Sequence, residues 1–287
     1  MVNGKSILVT GSKGQLGSSI KEISMNYPHH FYFKDKREMD ITNYSFIEKF
    51  LTKNNIDTII NCAAYTDVIN AEKNKFFSEN VNHIGANNLA KLCNEFNIQL
   101  IHISTDYVYD GFNNYPYKES SPTNPQNYYG ITKLNGEKKI LSYNLNKSVI
   151  IRTSWLYSKF NNNFVTKILN SLENNENIYV VEDEVGSPTN ALDLAKIILE
   201  IIPRLSNLKT EIFHFSNLGF CSRYEFAKKI KEIINSKCIV SPTKQKFSDI
   251  KRPKFSALDS SKIIENFQLN VKSWEISLEN HLKKNIV

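Results

Sequence analysis

Tyr129 and Lys133 close the pentapeptide Tyr129-Gly130-Ile131-Thr132-Lys133. On a helix, residues spaced i and i+4 share one face, one turn apart. A free phenol with a pKa of about 10 is a poor acid–base group at neutral pH. A neighbouring ammonium favours the phenolate and draws that pKa towards the working range. Upstream, Ser104-Thr105 ends the apolar run that begins at Gln99. That places a hydroxyl at the carboxyl edge of a strand, where open α/β sheets bind ligands. Alone, the Tyr–Lys spacing is common, and an amphipathic surface pair explains it equally well.

A second group adds specificity. Ser6–Thr10 runs into Gly11-Ser12-Lys13-Gly14-Gln15-Leu16-Gly17 and then a helical pattern. Gly11 permits a tight turn, Gly14 lets backbone N–H groups approach a pyrophosphate, and Gly17 lets helix and strand pack closely. The helix start adds the positive end of its dipole. The context, strand before and helix after, reads as a dinucleotide turn with Gln15 and Leu16 beside it. An acid after the second strand selects NAD and a cation selects NADP. Here Asp35 is flanked by Lys34, Lys36 and Arg37. The reading leans to NADPH, with NADH tolerated.

Such groups need alternating strands and helices to position them. Strands are expected at Ser6–Thr10, His30–Phe33, Thr58–Asn61, Gln99–Ser104 and Val149–Thr153. Helices are expected at Gln15–Met25, Tyr44–Lys53, Phe76–Phe96 and Tyr128–Leu145. Runs such as Leu100-Ile101-His102-Ile103 suit strands buried on both faces. The rhythm loosens after Thr153: helices at Phe164–Leu172, Ala191–Ile202, Arg223–Asn235 and Ile276–Lys284, strands at Ile178–Val181 and Ile212–Phe215. The fold class is α/β: a Rossmann-type doubly wound parallel sheet with a smaller interleaved C-terminal substrate lobe. Residues 1–154, with returning segments at about 184–218, form the dinucleotide-binding domain. Residues from about 155–183 and 219–287 form the substrate lobe.

Composition excludes several classes. The chain of 287 residues is 41% hydrophobic and 23% charged, within the ordinary globular range. No apolar run approaches the roughly 18 residues of a membrane span. Four widely spaced cysteines without C-x-x-C argue against a zinc ribbon or a disulfide-stapled module, and suit a reducing cytoplasm. The net charge of +7 admits an anionic ligand. Its cations form no block and do not interleave with aromatics, so no nucleic-acid partner is expected.

Taken together, the glycine turn, Thr105 and the Tyr129–Lys133 pair resemble the extended short-chain dehydrogenase/reductase superfamily. Further segments are similar to one family in it, the dTDP-4-dehydrorhamnose reductases. They include Asn61-Cys62-Ala63-Ala64-Tyr65-Thr66, Ser104-Thr105-Asp106-Tyr107-Val108-Tyr109-Asp110-Gly111, Arg152-Thr153-Ser154-Trp155, Gly186-Ser187-Pro188-Thr189 and Arg252-Pro253. The resemblance implies Tyr129 as general acid, Lys133 as its partner and nicotinamide anchor, and Thr105 as the hydroxyl that positions the ketone. It puts Ala63, Ala64 and Tyr65 in the cofactor cradle and Asp40 and Ile41 at the adenine end. Thr66, Val68, Asp106, Tyr107, Trp155 and Arg252 fall to the substrate. Trp155 is open to a second reading as a core aromatic, and Arg252 to one as a surface-loop residue.

The same resemblance implies reduction of the C4 ketone of dTDP-4-dehydro-L-rhamnose to dTDP-L-rhamnose, for surface polysaccharide. A reductase of another nucleotide-linked 4-keto-6-deoxyhexose, or a non-catalytic NADP-binding regulatory subunit, is the alternative. Related 4,6-dehydratases carry Asp-Glu after the equivalent threonine, whereas Asp106 here precedes Tyr107. Some members pair through a magnesium ion held partly by a helix-one glutamate. Ser18-Ser19 stands there in this chain, so no metal is expected. A homodimer is left open.

Overall fold

Ile7 and Val9 face one layer of the molecule and Leu8 the other, and all three are fully buried. This two-residue alternation between two covered faces is why the strand runs are continuously apolar. The protein is described by a computed structural model over residues 4–175, 177–205, 208–244 and 250–285. Its central sheet contains β1 (Ser6–Thr10), β2 (His30–Lys34), β3 (Thr58–Asn61), β4 (Gln99–Thr105), β5 (Val149–Thr153) and β6 (Glu211–His214). The spatial order is β6-β5-β4-β3-β1-β2, with every pair parallel. The order reverses between β1 and β3, the switch point where doubly wound sheets open a crevice.

Helices cover both faces. On one, α1 (Gln15–Ile23) and α8 (Ala191–Ile201) pack Ile20, Leu194 and Ile198 against Val9, Ile60 and Ile151. On the other, α2 (Tyr44–Lys53), α5 (Ala86–Glu95) and α6 (Tyr128–Ser142) bury Ile47, Leu89 and Ile140 over Leu8, Ile59 and Leu100. A separate apolar cluster unites α7 (Phe164–Glu173), α9 (Arg223–Ile233) and α11 (Trp274–Asn285) around Phe226. Beside it, Ile178–Val181 pairs in parallel with Val240–Thr243. The helix α10 (Ser261–Phe267) instead sends Ile263 and Phe267 into the sheet-side core.

Some boundaries differ from expectation. The helix read at Phe76–Phe96 is three pieces: α4 (Lys75–Glu79), a π turn at Asn80–Gly85, and α5. The interruption lies where the packing is tight. A Cβ on Gly85 would lie 2.7 Å from the Ile41 side chain, and one on Gly136 of α6 would lie 2.3 Å from the Asn82 carbonyl oxygen. The short helices α3 (Val68–Lys73) and α10 and the strand Val240–Thr243 have no counterpart among the expected elements. Each is too short for hydrophobic periodicity to mark.

Candidate active site

The glycine turn joins β1 to α1 at the switch point. Gly11 adopts φ +63°, and a Cβ there would lie 2.7 Å from the Ala63 backbone nitrogen. A Cβ on Gly17 would lie 2.5 Å from the Gly11 carbonyl oxygen. Both glycines are therefore required by space, and Gly11 also by its left-handed backbone. Gly14 closes the turn by donating its N–H to Gly11 O at 2.9 Å. It caps α1 without a side-chain hydrogen bond, so the first amides of the helix stay available to an anion. Gln15 ties the turn to the segment that follows β5: its amide nitrogen donates to Leu156 O at 3.3 Å and its oxygen accepts from Ser158 at 3.0 Å.

A groove of about 300 Å³ runs from this turn past Asp40, Ile41, Ala63 and Tyr65. Asn82, in the π turn, clamps Tyr65 by accepting its N–H at 2.9 Å and donating to its carbonyl at 3.0 Å. Asp35 lies at the groove's far side. Its carboxylate pairs with Lys13 and accepts the N–H groups of Arg37 and Glu38 at 2.8 and 3.0 Å. The bond from Lys13 is the main cause that holds the Asp35 carboxyl below its usual range. The acid is thus already engaged, and Lys13, Lys21 and Arg37 border an adjoining hollow. Such a setting suits a phosphate better than a bare Asp35 would.

Gly14, Cys62 and Ala64 border both that groove and a cleft of about 440 Å³. Leu16, Thr66, Val68, Thr105, Asp106, Tyr107, Tyr129, Lys133 and Trp155 line the cleft. The start of α6 is fixed by Asn127, whose side-chain Oδ1 accepts Gly130 N–H at 2.9 Å while its side-chain amide nitrogen donates to Lys251 O at 2.9 Å. A Cβ on Gly130 would lie 2.3 Å from the Tyr107 carbonyl oxygen. Glycine next to Tyr129 therefore lets the Thr105–Tyr107 turn lie against the helix. The Thr105 hydroxyl donates to Asp106 Oδ1 at 3.1 Å and accepts Tyr107 N–H at 3.2 Å. The Tyr107 ring meets Tyr129 edge-on, with centroids 5.6 Å apart.

Protonation in the cleft departs from one expectation. Burial dominates at Tyr129 and raises its phenol above the ordinary value, with Thr105 pulling the other way. Lys133 is not what governs it: its Nζ donates to Ile103 O at 2.6 Å and faces His102 Nε2 at 3.4 Å. Burial brings Lys133 down to about 8, against an opposing pull from Glu137. The Cys62 thiol is pushed up to about 12 by burial, so it stays protonated.

Asp106 is 2% exposed, its Oδ2 lacks a hydrogen-bond partner, and burial raises its carboxyl from 3.8 to about 6. A carboxyl raised by folding costs stability above its folded pKa, and that cost vanishes below its unfolded one. Asp106→Asn should therefore stabilise the protein by about 3 kcal/mol above pH 6, at roughly 1.4 kcal/mol per pKa unit. The gain should fade between pH 6 and pH 4. Urea unfolding of both proteins at pH 4 and pH 7.5 measures it, and an equal difference at the two pH values would refute the assignment.

Arg252 is exposed and does not line the cleft, although its charge acts on Tyr107 and Arg223. Trp155 does line it, in a left-handed conformation (φ +45°) uncommon for a bulky side chain. Sequence reasoning missed Arg223, whose guanidinium lies 3.6 Å from the Trp155 ring centroid and pairs with Glu184 at 3.7 Å. The capping signature Ser222-x-x-Glu225 marks that helix start but gives no hint that Arg223 turns into the cleft. It also missed Asn161 and Asn162, which border the cleft from the far side.

Comparison with known proteins agrees with this geometry. The family model described as RmlD substrate binding domain matches residues 5–286. A dTDP-4-dehydrorhamnose reductase of Aggregatibacter actinomycetemcomitans is 33% identical, covering 96% of this chain and 97% of that protein. A dTDP-4-keto-6-deoxy-D-glucose reductase of Streptomyces niveus is 34% identical over 77% of this chain and 76% of its own length. Among solved structures, the dTDP-4-dehydrorhamnose reductase of Bacillus anthracis in complex with NADP superposes with a TM-score of 0.92. It is 36% identical, covering 98% of this chain and 99% of that one.

Proposed function

This chain belongs to the RmlD substrate binding domain family, and on that premise we propose that it reduces the C4 ketone of dTDP-4-dehydro-L-rhamnose with NADPH, yielding dTDP-L-rhamnose. One observation carries the reading: the groove from the glycine turn opens directly into the cleft that holds Thr105, Tyr129 and Lys133.

The residues present fit a dinucleotide. Gly11 and Gly17 let the turn close tightly on the backbone of Ala63 and Gly11, and the amides of α1, which have no side-chain cap, would face a diphosphate. Gly14, Gln15 and Leu16 would hold the diphosphate, Asp40 and Ile41 the adenine end, and Ala63, Ala64 and Tyr65 would form the wall between. NADPH, when bound, supplies the hydride. Tyr129 keeps its proton at neutral pH and gives it to the oxygen at C4. Thr105 holds that oxygen, and Lys133 anchors the nicotinamide ribose and supplies positive charge as the phenolate forms. Thr66, Val68, Asp106, Tyr107 and Trp155 hold the sugar.

Residues 1–154, with about 184–218, serve the dinucleotide, and about 155–183 and 219–287 serve the sugar nucleotide. Arg252 is assigned to the substrate diphosphate. Arg252→Ala should raise KM for the sugar nucleotide about tenfold and leave KM for NADPH within twofold; equal changes in both would remove the assignment. No helix among the described residues is long and apolar enough to cross a membrane. The four cysteines are free, which suits the cytoplasm.

The deciding experiment follows NADPH loss with a panel of nucleotide-4-ketohexoses. Turnover of the dTDP-rhamnose precursor supports the reading. The Streptomyces niveus relative makes the 4-keto-6-deoxy-D-glucose compound the necessary competitor. Bound cofactor without turnover of any sugar would replace the enzyme by a regulatory subunit.

A further inference from the structure

On the α5–α6 face of the sheet, Leu8, Ile59 and Leu100 stand side by side in register across β1, β3 and β4. Two residues on, the next row is polar: Thr10 opposite Asn61, and Asn61 opposite His102. All three are at most 1% exposed, and Lys133 of α6, at 2%, lies over the end of the row. Buried polar groups persist only where every partner is supplied.

The bonds fix which atom carries each proton. Ala63 N–H donates to Asn61 Oδ1 at 3.2 Å, and a backbone N–H can only donate. The Thr10 hydroxyl donates to the same oxygen at 2.7 Å. The Asn61 amide nitrogen therefore faces His102 Nδ1, at 2.9 Å. An amide nitrogen only donates, so Nδ1 is the acceptor and the ring proton sits on Nε2. That N–H points at Lys133 Nζ, 3.4 Å away. A neutral amine can accept it, whereas an ammonium has no lone pair with which to do so.

We propose that His102 is a positioning residue for the reductase reaction: held in one tautomer by Asn61 and the Ala63 backbone, it keeps the Lys133 side chain poised between its charged and neutral forms. The inference rests on the role given to Lys133 above. It adds a fixed link from the cofactor cradle at Ala63 to the charge behind Tyr129. His102 itself stays neutral, because burial holds it well below its usual value and Lys133 pushes the same way. The other groups acting on Lys133 are Glu137 on its own helix, whose carboxylate is shared with Arg152, and the protonated Cys62 at the end of β3. Neither replaces a donor aimed at the amine.

Two substitutions separate the contacts. His102→Asn puts an oxygen in place of Nδ1 and removes the N–H, while His102→Gln presents an acceptor towards Lys133. With 13C-labelled lysine, the Lys133 Cε resonance, assigned through Lys133→Arg, reports its titration directly. In the wild-type chain the midpoint is expected at about 8. His102→Gln should raise it by a unit or more, and His102→Asn by less, in protein shown to be folded by circular dichroism. An unchanged midpoint in either folded variant overturns the proposal. Histidine 15N shifts of the wild-type chain decide independently of folding: a proton on Nδ1 also overturns it. None of these readouts needs turnover, so an inactive protein with the expected titration would sink the reductase reading alone.

Discussion

Tyr129→Phe should lower kcat by about 10²–10⁴-fold, the range for losing a positioned general acid. The substitution is narrow in its effects. Phenylalanine keeps the edge-on contact with Tyr107 and the buried ring, and removes only the hydroxyl. Binding of NADPH, followed by fluorescence titration, should stay within a few-fold. The pH dependence adds a second check. Tyr129 holds its proton far into the alkaline range, so its ionisation does not limit activity near neutrality. The Lys133 charge is lost as pH rises through about 8. The alkaline fall of kcat/KM should therefore centre near pH 8, not near the tyrosine value. Near wild-type turnover in the phenylalanine variant would remove Tyr129 from the reaction.

Most of the scaffold behind that tyrosine was legible in the sequence, for a physical reason. Strands covered on both faces are apolar through most of their central positions, so β1, β3, β4 and β5 stand out as runs. The glycine turn was legible because Gly11 and Gly17 are spatial necessities with a fixed spacing. Pairing across distant segments left no such trace. Nothing in the order of residues says that Arg223 stacks on Trp155, or that Asn82 clamps Tyr65. The π turn left no trace either: the residues packed against it, Ile41 and Gly136, are far away in the chain. The lowered tyrosine pKa was expected from i, i+4 spacing alone. That spacing fixes a shared face but says nothing of burial, which is the larger effect at Tyr129.

The same helix stripe carries a third group, and it supports the second large prediction. Glu137 follows Lys133 by one turn and is fully buried. Its carboxylate accepts from Ser104 at 2.5 Å and from Arg152 at 2.9 and 2.6 Å. Arg152 also donates to the Tyr109 hydroxyl at 2.7 Å, which meets His214 at 2.8 Å. Removing one member of a buried pair strands the other charge, at a cost of about 3–5 kcal/mol. Glu137→Gln should therefore lower Tm by roughly 10 °C, taking about 2–4 °C per kcal/mol for a chain of this size. The double replacement of Glu137 and Arg152 by methionine should recover much of that loss, because no charge is then stranded. A double variant as unstable as the sum of the singles would show the pair to be uncoupled.

Glu137 also raises the Lys133 pKa through its charge, against the effect of burial. Its loss should thus move the alkaline limb of kcat/KM below pH 8, opposite in sign to the shift expected for His102→Gln. Stability and the pH limb separate two roles of one carboxylate. If Tm falls while the limb stays in place, Glu137 only braces the sheet. If both move, the buried pair also sets the charge that Lys133 brings to the cleft.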